Sequence, residues 1–150
     1  MKIKCLLISA LLSTLFVSCD WNCNYECYIS NETEQEFTVT LAGPLIPELE
    51  KRDHCIKNEN GQPSYIIPAG KKYRVAFDCD FCEWPSFERT KNVALEYFGD
   101  SVLFSFKDGT QQAYYKNDTS NDSPYNFDSD KYTYREDKRY LGELVFKICD

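Results

Sequence analysis

Histidine is almost absent: His54 is the only one in 150 residues. No Gly-x-Ser-x-Gly stretch accompanies it, so a hydrolytic triad is unsupported. Cations are in deficit, with 17 lysines and arginines against 24 acids and a net charge of −7. Nucleic acid needs a basic face, which excludes that partner. The same deficit argues against direct attraction to anionic lipid headgroups. No apolar run reaches the roughly 18–20 residues of a transmembrane helix. No Asp-x-Asp-x-Asp-Gly array with a distal Glu marks a calcium loop. There is no internal repeat, and only residues 116–130 are polar enough to read as a long loop.

What is present begins at the N-terminus. Lys2 and Lys4 precede an uncharged stretch from Cys5 to Cys19, and Asp20 ends it. A basic start, a short apolar run and a small residue before the cut define an export signal over residues 1–18. Leu15-Phe16-Val17-Ser18-Cys19 resembles the lipobox of bacterial lipoproteins. That resemblance implies a diacylglyceryl thioether on Cys19, which becomes the mature N-terminus. Acyl chains, at about 0.8 kcal/mol per buried CH₂, then hold the domain on a membrane. Loss of two lysines takes the net charge from −7 to −9 and leaves 132 residues, the size of one domain. Residues 19–27 are expected to be a lipidated tether and 28–150 the domain.

Six cysteines remain after Cys5 and Cys19: Cys23, Cys27, Cys55, Cys79, Cys82 and Cys149. An even number in an exported domain predicts a disulfide framework. Spacing does not choose among the fifteen connectivities.

Eleven Tyr and ten Phe favour strands. Phe37, Val39 and Leu41 alternate with Glu36, Thr38 and Thr40, as on a half-buried strand. Residues 44–63 read as a connection, with one short helix starting at Pro47. Ser64–Ile67 is a short strand. Tyr73, Val75 and Phe77 share the face of the next, which ends in an acidic loop over residues 78–82. Residues 92–98 and 101–107 read as a hairpin joined by Gly99-Asp100. A second hairpin turns at Asp108-Gly109, a type I′ signal, into residues 110–115. The last strand runs from Tyr140 to Ile148. Such a pattern predicts an all-β fold, an antiparallel β-sandwich with at most one short helix.

With the lipobox, Ile67-Pro68-Ala69-Gly70, Lys107-Asp108-Gly109, Ser123-Pro124-Tyr125-Asn126 and the closing aromatic strand, the chain resembles the small uncharacterised lipoproteins of Bacteroidota. The resemblance implies an immunoglobulin-like or transthyretin-like sandwich on the outer membrane, at its surface or periplasmic face. It assigns no activity and no functional residue beyond Cys19.

Three further features bear on chemistry. Cys79-x-x-Cys82 invites a redox reading, but Asp78, Asp80 and Glu83 around it raise rather than lower a thiol pKa. Zinc on Cys79, Cys82, Cys23 and Cys27 is the next reading, and oxidation to disulfides is preferred to both. Asp118, Asp122, Asp128 and Asp130 share one loop, expected to be solvated rather than to hold calcium. No cofactor, metal or catalytic residue is therefore assigned.

Trp21, Trp84, Tyr114, Tyr115, Tyr125, Tyr132, Tyr134 and Tyr140 are the remaining raw material, most of it for packing. Trp84 lies in a turn, Glu83-Trp84-Pro85, and is the candidate ligand contact. The expected role is non-catalytic binding or structure at the cell envelope, with glycan as the first specific ligand. The alternative is a protein-interaction or assembly subunit of a surface complex or adhesin.

Overall fold

The computed structural model describes residues 22–45, 55–81, 84–137 and 140–149. These form nine strands and one helix. The strands are β1 (Asn22–Asn31), β2 (Phe37–Leu41), β3 (Cys55–Lys57), β4 (Pro63–Ile67) and β5 (Lys72–Phe81). After helix α1 (Phe87–Phe98) come β6 (Ser101–Phe106), β7 (Gln111–Tyr115), β8 (Tyr132–Asp137) and β9 (Leu141–Ile148). One sheet has the order β5-β1-β9-β8 and the other β3-β4-β2-β6-β7. All pairings are antiparallel except that of β1 with β9. The fold is an all-β sandwich with one added helix.

The alternation of β1 explains its central place. Cys23, Tyr25, Cys27, Ile29 and Asn31 are all buried on one face. Residues 22–27, expected in the tether, are therefore the first part of a core strand. Their polar members Asn24 and Glu26 fall on the other face, so a mixed composition fits a half-buried strand.

Strand β5 carries a bulge. Cys27 stands opposite Ala76, but Tyr28 stands opposite Arg74, leaving Val75 as the extra residue. A bulge of one residue reverses the pleat beyond it. Phe77 therefore turns outward beside Arg74, whose guanidinium lies 4.7 Å from its ring, instead of sharing a face with Val75. Residues 78–81, expected in a loop, continue the strand.

The expected strand at residues 92–98 is the second half of α1. Ser86 caps the helix, accepting a hydrogen bond from the Arg89 N–H at 3.2 Å, and Glu88 sits in the first turn. Gly99 closes it at φ 65, its N–H bonded to the Leu95 carbonyl. Thr90, Val93, Ala94 and Phe98 are buried at helical spacing.

Helix α1 packs on β1, β5 and β9. It covers the inner face near Tyr25 and Gly142, where a Cβ on Gly142 would lie 2.6 Å from the Thr90 hydroxyl. At the other end the second sheet covers that face, and the Phe104 and Phe146 rings meet at 6.4 Å.

The turn at Asp108-Gly109 is present, but only Gly109 has positive φ, at 88. Type I′ needs two such residues, so this is a longer loop with a glycine bulge. Strand β3 arises within the segment read as a connection, β8 in a stretch to which the sequence assigned no element, and the proposed helix at Pro47 lies outside the described residues.

Candidate functional site

The cysteines are the first expectation to meet the structure. Cys23, Cys27, Cys55, Cys79 and Cys149 form no disulfide with one another; Cys19 and Cys82 lie outside the described residues. The expected framework of six is therefore not found among the described residues. The pleat gives the reason. Cys23 pairs with Asp80 and faces inward, whereas Cys79 pairs with Asn24 and faces outward. Cys23 and Cys27, four residues apart on one strand, are about 13 Å apart, against the roughly 5.5 Å between Cα atoms that a disulfide spans. The same opposition of faces separates Cys79 from Cys23 and Cys27 as a zinc set. Burial pushes the Cys27 thiol well up, so it stays protonated and packs as a small hydrophobe.

Asp78 and Asp80 turn to the helix side and pair with Arg89, at 2.9 and 3.2 Å. The acids that surround Cys79 in sequence thus have a cation between them. On the opposite face of this sheet, Glu26 accepts from the Tyr28 hydroxyl at 2.7 Å and from Arg74. Glu143 lies 3.2 Å from Lys72 and 3.4 Å from Arg135. Both acids are satisfied by neighbours, and the cluster joins β1, β5, β8 and β9.

The acidic loop is tied up locally. The Asp118 carboxylate accepts from the Ser120 N–H at 2.8 Å, and Asp130 accepts from the Asn121 amide at 3.1 Å. Asp122 lies 2.6 Å from the Lys131 ammonium. Among the described residues no three metal-ligating side chains converge. His54 lies outside the described residues.

The aromatic residues divide sharply. Tyr125 and Tyr114 are buried, and Tyr132 stacks on Phe127 at 4.9 Å. Tyr134 meets Phe87 edge-on at 5.4 Å. Trp84 and Tyr115 are exposed, at 70% and 65%. Trp21 lies outside the described residues.

Trp84 is not isolated. Its ring centroid lies 5.1 Å from that of Tyr140, with the planes tilted by 47°. Tyr140 sits between β8 and β9 at φ 58, a left-handed conformation uncommon for a bulky residue. Its carbonyl accepts from the Asn24 N–H at 2.8 Å, and its own N–H is bonded to the Asp137 carbonyl at 3.0 Å. Strain of about 1–3 kcal/mol persists only where the surroundings hold it. Pro85, buried beside Trp84, fixes the other ring at the start of α1. Two aromatic rings from separate connections thus meet in one platform, Trp84 exposed and Tyr140 half-buried against the core. Sequence marked Trp84 through its turn, but nothing local linked it to Tyr140.

A second feature has no counterpart in the sequence. At the far end of the sandwich, the two sheets part around a cleft of about 390 Å³. Phe104, Phe106, Tyr114 and Ile148 line it, and Thr33, Gln112, Asp122, Lys131 and Cys149 add polar groups. Burial, with Asp122 and Asp118 nearby, pushes the Tyr114 hydroxyl up to about 12, so it remains a donor at neutral pH. The Cys149 thiol lies 3.6 Å from the Glu32 carboxylate and is pushed up by burial and by that acid.

The fold and its exposed aromatics define a β-sandwich protein with candidate binding surfaces at both ends. No family model, curated protein or solved structure matches the chain.

Proposed function

We propose that this chain is an outer-membrane lipoprotein, anchored through Cys19, that binds glycan at the Trp84–Tyr140 platform without catalysing a reaction. The observation that carries the reading is the exposed Trp84 ring lying against the half-buried Tyr140 ring. A large apolar ring left 70% exposed needs a reason, and sugar rings present apolar faces that such a surface covers. Backbone hydrogen bonds fix Tyr140 in place, so that side of the platform loses little order on binding. The lipobox and the likeness to Bacteroidota lipoproteins support the location.

The alternative, docking of a protein partner on a strand edge, has less in its favour. Edge strands β7 and β8 expose mainly polar or charged residues, Gln111, Gln112, Thr133, Arg135 and Glu136, with Tyr115 on β7 and Ile56 on edge strand β3 the large apolar residues among them.

Purified chain on a glycan array tests the ligand class. At least one immobilised glycan is expected to bind, and Trp84→Ala to weaken it about tenfold, the loss of one stacking ring. Melting temperature should barely move, because Trp84 is exposed. Binding that Trp84→Ala leaves undiminished removes the platform from the reading; silence across the array moves the weight to a protein partner. The anchor has its own test. Cells fed labelled fatty acid should label the wild-type chain, and Cys19→Ser should lose both the label and membrane association. An unlabelled wild-type chain would sink the anchor.

A further inference from the structure

We propose that the cleft between the sheets is a second, independent ligand site, taking one neutral polyhydroxylated ring of a glycan chain. The ligand class rests on the glycan reading; the place rests on the cleft alone. Trp84 and the cleft do not share residues. Asn24 adjoins Tyr140 at one end of β1, and Asn31, whose side chain bonds Thr33, ends the strand roughly 23 Å away at strand rise.

The cleft is built rather than incidental. Phe37 meets Phe104 and Phe106 edge-on at 5.8 and 5.7 Å, and Phe104 meets Tyr114 edge-on at 5.9 Å. Its aromatic wall is thus locked from behind. The volume of about 390 Å³ lies in the usual range for small-ligand pockets. A further hollow of about 190 Å³ shares Thr33 and Phe106 with it and extends it toward Asp108 and Thr110.

The rim narrows the ligand. The cation among its lining residues has an acid: Lys131 lies 2.6 Å from Asp122. An anionic ligand would have to displace Asp122 from Lys131. An acyl chain or other aliphatic guest would bury the Gln112 amide without a partner and strip water from the Asp122–Lys131 pair, which is costly. A neutral ring with one apolar face and several hydroxyls matches both the aromatic wall and the paired rim. Two such sites on one domain would let it grip a long glycan at two points and gain avidity.

The test is residue-resolved NMR of the chain as purified from cells, titrated with cellohexaose, xylohexaose and mannohexaose, and with an oligogalacturonate as the charged control. At least one neutral hexaose should shift the Thr33 amide and the Gln112 side-chain amide. Those shifts should persist in Trp84→Ala and need about tenfold more ligand in Gln112→Ala, whose exposed position leaves folding intact. Shifts confined to Trp84 and Tyr140 would overturn the second site and leave the platform standing. A responsive cleft with a silent Trp84 would uphold this site and overturn the platform. Silence at both overturns both readings, and a stronger response to oligogalacturonate overturns the neutral ligand.

Discussion

Phe104→Ala is expected to destabilise the protein by about 3–5 kcal/mol, the usual cost of removing a buried ring and leaving a cavity. Phe104 is 1% exposed and sits in β6, the strand between β2 and β7. Its ring contacts Phe37, Tyr114 and, across the sandwich, Phe146. These neighbours come from three other strands in two sheets, so none can collapse into the space without moving its own strand. Urea unfolding measures the effect as a lower midpoint at unchanged slope. A loss under about 1 kcal/mol would mean that the sheets close over the gap, contrary to the rigid packing argued here. The same substitution removes part of the cleft wall, so ligand shifts there should fall in the fraction that remains folded.

Asn31→Ala is the second large effect, expected at about 2–4 kcal/mol from several buried groups losing their partners together. Asn31 is fully buried at the end of β1. Its side-chain nitrogen donates to the Gln35 and Ile67 carbonyls at 2.7 and 2.8 Å. Its side-chain oxygen accepts from the Thr33 N–H at 3.0 Å and the Thr33 hydroxyl at 2.8 Å. One amide therefore ties β1 to the turn before β2 and to the end of β4. Alanine leaves the Ile67 carbonyl without that donor. Asn31→Asp provides the control: it keeps the acceptor, loses both donors and faces a carboxylate toward two carbonyls. Burial raises that carboxylate's pKa, so the aspartate variant should be least stable at neutral pH and recover part of the loss as the pH falls. Equal stability of wild type and Asn31→Ala in urea would remove Asn31 as a structural hub.

Where sequence reading succeeded, one face of a strand was buried and the pattern was local. Phe37, Val39 and Leu41, and Leu144 and Phe146, are buried as their alternation predicts. It failed where two periods fit the same letters. Val93, Leu95 and Tyr97 alternate, while Thr90, Val93, Ala94 and Phe98 recur at helical spacing. Ser86 and Gly99, the caps, were the signal that separated the two. It failed again at Val75, because a bulge leaves no mark in composition yet reverses every later side chain. Cys79, expected in a loop, lies on the strand beyond the bulge and faces away from Cys23 and Cys27.

The sequence by itself determined the fold class, the polar nature of the 116–130 loop and the standing of Trp84 as an unusual aromatic, since each depends on residue type or short-range order. Tertiary structure alone decided that Trp84 meets Tyr140, that Asn31 ties β1 to two other segments, and that a cleft opens among residues from Thr33 to Cys149. Those features join positions tens of residues apart, and their geometry follows from strand order and register, which no local pattern encodes.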